Sequence, residues 1–175
     1  MSTYEFTLHL RFTDDATGLD ERLERLYREG CDDALPGIGR PGWIALAFDR
    51  DSDTAWQAIT SAIADARRAM PDARLTEVEP DLVGLTDLAE IMGFTRQNMR
   101  KLIFGQSSQA PSAVHIGSPS LWHLAPVLEW LREARGYEVE ARLIETAVAA
   151  MQLNLAIAHA DTDPGLRQRV AAALA

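Results

Sequence analysis

The chain has very little cysteine and very little lysine: among its 175 residues there is one of each, Cys31 and Lys101. A single cysteine excludes an internal disulfide and a zinc site built from cysteines, so a reducing cytoplasm is the expected environment. Cys31 ends an amphipathic stretch beside Asp32 and Asp33, whose charges disfavour a thiolate. We therefore expect a small buried side chain there rather than a nucleophile or a redox sensor.

Long apolar runs free of charge are also missing from the sequence. The first residues, Met1–Glu5, are not basic, and charges interrupt the apolar stretches further along. These features predict neither a signal peptide nor a membrane-spanning segment.

No pattern of catalytic residues stands out. The four histidines are scattered, without the spacing of a triad or a metal cluster. The glycines at 37, 39 and 42 precede an apolar run, whereas a dinucleotide fingerprint follows a strand and opens a helix. We predict a protein that is not an enzyme and that uses no cofactor and no metal.

What the sequence does contain is a window, residues 85–102, with the spacing of two short helices joined by a tight turn. Thr86 and Thr95 stand where helix N-caps belong, and Gly93 stands where the first helix ends with positive φ. Ala89 is small enough for the two helices to cross closely. One shared apolar face is predicted, formed by Leu88, Met92, Phe94, Met99 and Leu102.

The second helix, residues 95–104, then presents a polar outer face: Arg96, Gln97, Asn98, Arg100 and Lys101. Arginine reads guanine with two hydrogen bonds, asparagine and glutamine read adenine, and lysine suits phosphate. The alternative is an ordinary helical hairpin with a solvated charged face. The joint occurrence of caps, small residue, turn glycine and apolar positions favours a helix that enters a DNA major groove.

Two further elements follow this window. Residues 111–123 form two short extended runs around a Gly-Ser-Pro turn, which predicts a hairpin. Residues 125–132 predict a helix with Pro126 in its first turn. From 82 to 133 the chain resembles the excisionase-like branch of the MerR-type winged helix-turn-helix family, whose elements come in this order and whose wing ends in an aromatic residue.

The resemblance implies base contacts from Arg96, Gln97, Asn98 and Arg100. It implies backbone contacts from Thr95, Lys101 and the wing at His115 to Ser118, and Thr86 joins the expected DNA-binding set. Trp122 and Trp130 match buried residues of the family, so packing is their expected role. The chain departs from the family in having no arginine at the wing tip and His123 where a basic residue follows the aromatic. Fewer phosphate contacts predict weaker binding by one subunit, which a dimer or a partner would offset.

The net charge of −9 is distributed unevenly along the chain. Residues 1–80 carry 9 arginines against 16 carboxylates, and residues 81–136 carry 5 cations against 5 carboxylates. The excess of acid therefore lies outside the DNA-binding window. A local basic ridge on an acidic body can dock to DNA in one orientation.

Residues 1–80 alternate strand and helix patterns in the order strand, helix, strand, strand, helix, strand. This order predicts an N-terminal ferredoxin-like sandwich that closes without help from the rest of the chain, with a boundary at Pro80-Asp81. Its loop 31–42 could hold a ligand through Asp32 and Asp33. Because no third ligand residue follows, we favour an ordinary connection with solvated aspartates and an exposed Arg40.

Residues 137–175 predict a long helix and a short terminal helix, a helical hairpin. One stripe of the long helix carries Ile144, Val148, Met151 and Leu155. This stripe either packs on its own chain or pairs with a second copy, and we prefer a homodimer because helix-turn-helix proteins generally read two half-sites.

Taken together, the sequence predicts an α+β protein with three parts, residues 1–80, 81–136 and 137–175. We expect a sequence-specific, duplex-DNA-binding transcriptional regulator in the cytoplasm, associated with the nucleoid. Three other functions stay open: an antitoxin-like or adaptor protein that binds a partner protein through the acidic N-terminal domain, an excisionase-like architectural factor, and a sensor of a small ligand at that domain.

Overall fold

A computed structural model describes residues 1–12, 18–105 and 109–175 of the chain. It is a mixed α+β structure with an N-terminal antiparallel sheet and several helices. The N-terminal elements are β1 (Ser2–Phe12), α1 (Leu19–Arg28), β2 (Ala34–Gly37), β3 (Trp43–Ser52), α2 (Ala55–Ala69) and β4 (Ala73–Glu79). The later elements are β5 (Leu82–Val83), α3 (Leu85–Ile91), α4 (Arg96–Phe104), β6 (Trp122–His123), α5 (Leu124–Glu133), α6 (Ala141–Ala160) and α7 (Pro164–Leu174).

The four N-terminal strands form one sheet in the order β2-β3-β1-β4, with every neighbouring pair antiparallel. Even-numbered residues of β1 point into the core, as their alternation predicts. Phe6 lies opposite Phe48 of β3, and their rings stack at 5.1 Å. The two helices of this unit contact each other and cover the apolar face of the sheet.

Helix α2 begins at Ala55. Thr54 is its N-cap and accepts a hydrogen bond from the Gln57 N–H at 3.2 Å, because a threonine hydroxyl reaches that donor directly. The inward face is made mostly of small residues, which lets the helix lie close to the sheet. Its fully buried members are Ala55, Ala58, Ile59, Ala62 and Ala66.

The loop at 31–33 has a structural role. Asp33 accepts two hydrogen bonds from the buried guanidinium of Arg50, which also donates to Asp65 at 2.7 Å. Burial alone would lower the pKa of Arg50, but the hydrogen bonds to the two aspartates outweigh it and raise that pKa. Asp33 is therefore an ion-pair partner, which corrects the expectation that both aspartates are solvated; Asp32 is exposed.

Cys31 is buried beside this ion pair, as expected. Burial, followed by the negative charge of Asp65, raises the pKa of the Cys31 thiol to about 11. The side chain is thus a protonated core residue at neutral pH.

The elements from β5 to α5 surround a second core. Trp122 and Trp130 are both buried in it, in agreement with the packing role predicted for them. The strand β6 pairs antiparallel with β5, so Val83 lies opposite Trp122. This pairing holds the segment before α3 against the segment that leads into α5.

Helix α6 joins the two cores. Ala149 and Ala150 are buried in the first core, and Ile144 and Ala147 are buried in the second. The first core therefore includes side chains from outside residues 1–80, although the sequence predicts a unit that closes its core alone. Alanines allow this arrangement because two surfaces can approach one helix closely from different sides.

Helix α6 is also long and apolar enough to cross a membrane by length and composition. The sequence-based expectation of no such segment overlooked it, because the charges in Ala141–Ala160 lie near its beginning. Its contacts with both cores are those of a packed helix. Helix α7 that follows has no buried residue, and Leu166, Val170 and Leu174 are exposed.

Candidate nucleic-acid interface

The turn between α3 and α4 has the geometry that the sequence predicts. Gly93 has φ +65°, a conformation that side chains rarely adopt. The Phe94 N–H donates to the Ala89 carbonyl at 2.7 Å, which ends the first helix. Thr95 caps α4, since its hydroxyl accepts from the Asn98 N–H at 3.1 Å.

The start of α3 differs from the prediction that Thr86 is an N-cap. Gly84 is the N-cap, and its N–H donates to the Asp87 carboxylate at 2.7 Å. The helix starts here because β5 runs straight into it and Asp87 stands three residues beyond Gly84, where a carboxylate reaches back to the cap. Thr86 is an exposed residue of the first turn of α3.

Helices α3 and α4 share the predicted apolar face. Leu88 and Met99 are fully buried, Ala89 and Leu102 are nearly so, and Ile103 joins them. Met92 and Phe94 are partly buried against the same core. This packing fixes the rotation of α4 about its axis and so decides which side chains face outward.

The outer face of α4 carries all five residues that the sequence predicts for DNA contact. Arg96, Gln97, Asn98, Arg100 and Lys101 are each exposed. Among the described residues, no carboxylate lies within ion-pair distance of the three cations. Their charge is therefore available to phosphate oxygens.

A groove of about 390 Å³ runs between this helix, the start of α3 and the chain before β6. It brings some of the predicted residues together but leaves Thr95, Gln97, Asn98, Lys101 and His115 outside. The residues that matter here are Thr86, Arg96, Arg100, Phe104 and Ser118. Two guanidiniums, a wing hydroxyl and the Asp87 carboxylate thus line one groove.

The predicted wing is a narrower hairpin than its two extended runs suggest. In the part of it that the structure describes, His115 and Leu121 form one isolated antiparallel bridge. Both His115 and Ser118 are exposed, and Ile116 at the tip is 90% exposed. A Cβ on Gly117 would lie 2.4 Å from His115 Nε2, so glycine is what allows the imidazole to lie over the turn.

His123 lies at the base of the wing rather than on its surface. Its Nδ1 is 2.6 Å from Oδ1 of Asp81, a carboxylate that is almost completely buried. Asp81 also accepts from Asn154 Nδ2 at 2.8 Å, and its carbonyl accepts from the Leu124 N–H. The imidazole thus anchors β6 and the start of α5 to α6.

Sequence reasoning missed Asp81 and Phe104. Phe104 is largely exposed in the groove, where its ring meets Trp122 edge to face at 5.9 Å and lies 5.6 Å from the Arg100 guanidinium. The signal was present in the sequence, because Phe104 follows Arg100 by four residues and so shares its face of the helix. Asp81 gave no comparable signal, since its partners lie 42 and 73 residues away.

The residues predicted to pair two chains differ in how far their own chain buries them. Ile144 is buried in the second core, and Val148 and Met151 pack partly against it. These three positions are largely covered by their own chain because α5 lies against α6, which corrects the preference for pairing through the whole stripe. Leu155 is 48% exposed, so it is available for contact with a second chain.

Comparison with known proteins gives one partial similarity. The chain is 41% identical over 49 residues to "Ribonuclease P protein component" of Ruegeria pomeroyi. The matched part covers 28% of this chain and 39% of that protein. No family model and no solved structure matches the chain.

Proposed function

We propose that the chain is a sequence-specific, duplex-DNA-binding transcriptional regulator that reads the major groove with the helix 95–104. The observation that carries this proposal is the division of α4 into two faces. Met99 and Leu102 are buried, while five side chains able to contact bases or phosphates are exposed without a carboxylate partner in the described chain.

We also propose a finer description of the two folds. The sheet order β2-β3-β1-β4 with two helices on one face supports a ferredoxin-like sandwich for the N-terminal unit. The order helix, turn, helix, bridged hairpin, strand, helix supports a winged helix-turn-helix for residues 81–136. The resemblance to excisionase-like MerR-type proteins rests on this order and on the residues of α4.

The number of cations indicates how strong the binding is. Arg96, Arg100 and Lys101 can neutralise at most about three phosphates, so log K should fall with log salt at a slope no steeper than about −2.7 for one subunit, and less steeply where an arginine contacts a base instead. A slope this small means modest affinity. We therefore propose a homodimer, supported by the exposed Leu155 and by the exposed apolar side chains of α7.

A second candidate function is an adaptor that binds a basic partner protein. The observation that favours it is the set of exposed carboxylates on the N-terminal sheet, namely Glu5, Asp49, Asp51 and Glu79. Such a surface repels DNA and attracts cationic side chains. The two functions are compatible in one chain, because the carboxylates and the cations of α4 belong to different units.

The test is selection of bound fragments from a random duplex library, followed by fluorescence anisotropy with the selected duplex at several salt concentrations. The variant Arg96→Ala/Arg100→Ala/Lys101→Ala should lose both the affinity and its salt dependence. Arg132→Ala is the matched control, since this exposed arginine lies on α5. If the triple variant binds the duplex as the parent does, α4 is not the DNA-reading helix.

A further inference from the structure

The N-terminal sheet has a second face, opposite the two helices, where the odd-numbered residues of β1 lie. Thr3, Glu5 and Arg11 are exposed there, and so are Ala47, Asp49 and Asp51 of β3. Carboxylates extend from the end at Glu5 to Glu79 and Glu77 of β4, which lie opposite Thr7 and His9, and cations occupy the end at Arg11.

At the cationic end, three side chains stand in a row across three strands. Arg11 of β1 lies opposite Trp43 of β3 on one side and opposite Arg74 of β4 on the other. Neighbouring strands are about 4.8 Å apart, so the row is about 10 Å long. A fourth side chain, Arg40 from the loop before β3, adds its guanidinium 5.2 Å from the centre of the Trp43 ring, and Arg11 lies at 5.8 Å.

The positive charge in this row is only partly balanced. Arg74 pairs with Asp161 at the end of α6. In the chain that the structure describes, no carboxylate is within ion-pair distance of Arg11 or Arg40. Because like charges directly opposite on neighbouring strands destabilise a sheet, Arg11 and Arg74 gain from an anion placed between them.

We propose that this cluster, Arg11, Arg40, Trp43 and Arg74, binds single-stranded DNA. A base stacks on the indole of Trp43, and the phosphates on either side of that base contact Arg11 and Arg40. The half-buried indole is held by the strand beneath it, and the Arg11 and Arg40 guanidiniums lie over its ring. A base therefore stacks on the indole once a guanidinium turns from the ring to a phosphate. The carboxylates at the far end of the face repel a longer strand and limit the contact to a few nucleotides.

The chemistry favours a single strand over the other anionic partners. A stacking surface needs an unpaired base, which a duplex does not offer, and base–aromatic stacking does not depend on sequence. An acidic protein would use the arginines but would gain little from an aromatic platform. On RNA, the 2′-hydroxyl near Trp43 would meet the Arg11 guanidinium, which already contacts a phosphate, and the methyl group of Ala45, so the surface gains little that is specific to ribose.

The experiment measures binding of a fluorescein-labelled eight-nucleotide oligothymidylate to the full chain by anisotropy. Trp43→Ala should weaken binding about tenfold, whereas Trp43→Phe keeps an aromatic surface and should bind nearly as the parent does. Trp56→Ala is the matched control, because Trp56 is exposed on α2. Equal binding by Trp43→Ala, in a protein whose thermal melt is unchanged, overturns the proposal.

The salt dependence gives a second, independent readout. Two phosphates neutralised on a single strand give a slope of about −1.4 in log K against log salt, and Arg11→Ala or Arg40→Ala should each reduce its size by about 0.7. Arg67→Ala, an exposed arginine on α2, should leave the slope unchanged. An unchanged slope in both cluster variants means that the phosphates bind elsewhere.

The proposal does not depend on duplex binding by α4, and the test separates the two. The α4 variant Arg96→Ala/Arg100→Ala/Lys101→Ala should keep its affinity for the single strand, and Trp43→Ala should keep its affinity for the duplex. Loss of single-strand binding in the α4 variant would place that contact on α4 and overturn the proposal. An oligouridylate of the same length that binds more than tenfold tighter would reassign the surface to RNA.

Discussion

Two hydrogen bonds join the side-chain amide of Asn154 on α6 to the main chain of Val78 on β4. Asn154 Oδ1 accepts from the Val78 N–H at 2.8 Å, and Asn154 Nδ2 donates to the Val78 carbonyl at 2.8 Å. The amide thus mimics a neighbouring strand at the edge of the sheet. Because Nδ2 also donates to the buried Asp81, one side chain connects the N-terminal sheet to the base of the wing.

We predict that Asn154→Ala destabilises the protein by about 2–3 kcal/mol, since it leaves the polar groups of buried Val78 and Asp81 without this partner. Urea unfolding followed by tryptophan fluorescence measures the change. Gln152→Ala is the control, because Gln152 is exposed on the same helix and should change stability by less than about 0.5 kcal/mol. Equal effects of the two variants would mean that the Asn154 bonds contribute nothing specific.

The N-terminal elements were predictable from local pattern, but the docking of α6 was not. Alternation along β1 and helical spacing along α2 depend on neighbouring residues, so the sequence shows them directly. The alanines of α6 are compatible with packing against a second copy, the sheet or α5. A small side chain allows close approach but does not determine which surface approaches. Asn154 marks the contact, yet its partner is 76 residues away.

The same distinction holds at the candidate site. Thr95, Gly93 and the outward face of α4 follow from short-range rules, and the structure has each of them as predicted. The groove beside Phe104 depends on where the wing folds, and the wing is positioned by Asp81 and His123 through contacts that no local pattern contains. Base contacts on α4 stay a prediction.

The contribution of α6 to the first core leads to a second prediction. A fragment of residues 1–80 lacks Ala149, Ala150 and Asn154, so it should lose the cooperative thermal transition of the full chain. Circular dichroism measures this. Truncation after Asp163 is the control: it removes α7, which has no buried residue, so the shortened chain should keep a cooperative thermal transition. A fragment 1–80 that melts cooperatively at the temperature of the parent would contradict the shared core.

Glu77 on β4 provides a pH-dependent prediction. Burial, followed by repulsion from Glu79, raises the pKa of Glu77, while His9 lowers it and Asp81 raises it slightly. A raised pKa in the folded state means that the protonated form is favoured, so this stabilisation is present at low pH and is lost as pH rises through the folded value. Glu77→Gln should therefore stabilise the protein at pH 7.

The gain from Glu77→Gln should shrink toward zero as the pH falls below 4.5, the ordinary pKa of this carboxyl group. Thermal melts of parent and variant across pH 3.5 to about 7.5 measure the difference. Glu24→Gln, on the exposed side of α1, serves as the matched substitution. A gain that is the same at every pH would show that the effect comes from packing and not from the buried charge.

The outer face of α4 should separate affinity from specificity. Lys101→Ala should weaken binding to every duplex alike and reduce the size of the salt slope by about 0.9, because lysine contacts phosphate. Arg96→Ala and Asn98→Ala should instead lower the preference at one base position by about 1–3 kcal/mol, the scale of a two-bond base contact. Competition between the selected duplex and single-position mismatches measures both. If all three variants lose affinity for every duplex alike, α4 makes only nonspecific contacts with DNA.

The last prediction concerns the interface of the proposed homodimer. Val148 packs partly against the second core, so Val148→Glu should place a charge inside the chain and lower its stability by several kcal/mol. Val170 is exposed on α7, and Val170→Glu should leave the fold intact while it disrupts a dimer formed through that face.

Sedimentation velocity with a parallel thermal melt distinguishes these outcomes. A folded monomer in Val170→Glu, from a parent that sediments as a dimer, supports pairing through α7. Leu155→Glu, also exposed, tests whether α6 extends the same interface, because Leu155 precedes the link to α7 by only a few residues. A parent that sediments as a monomer at micromolar concentration would mean that each subunit meets DNA alone, and the affinity would then be limited to the three cations of α4.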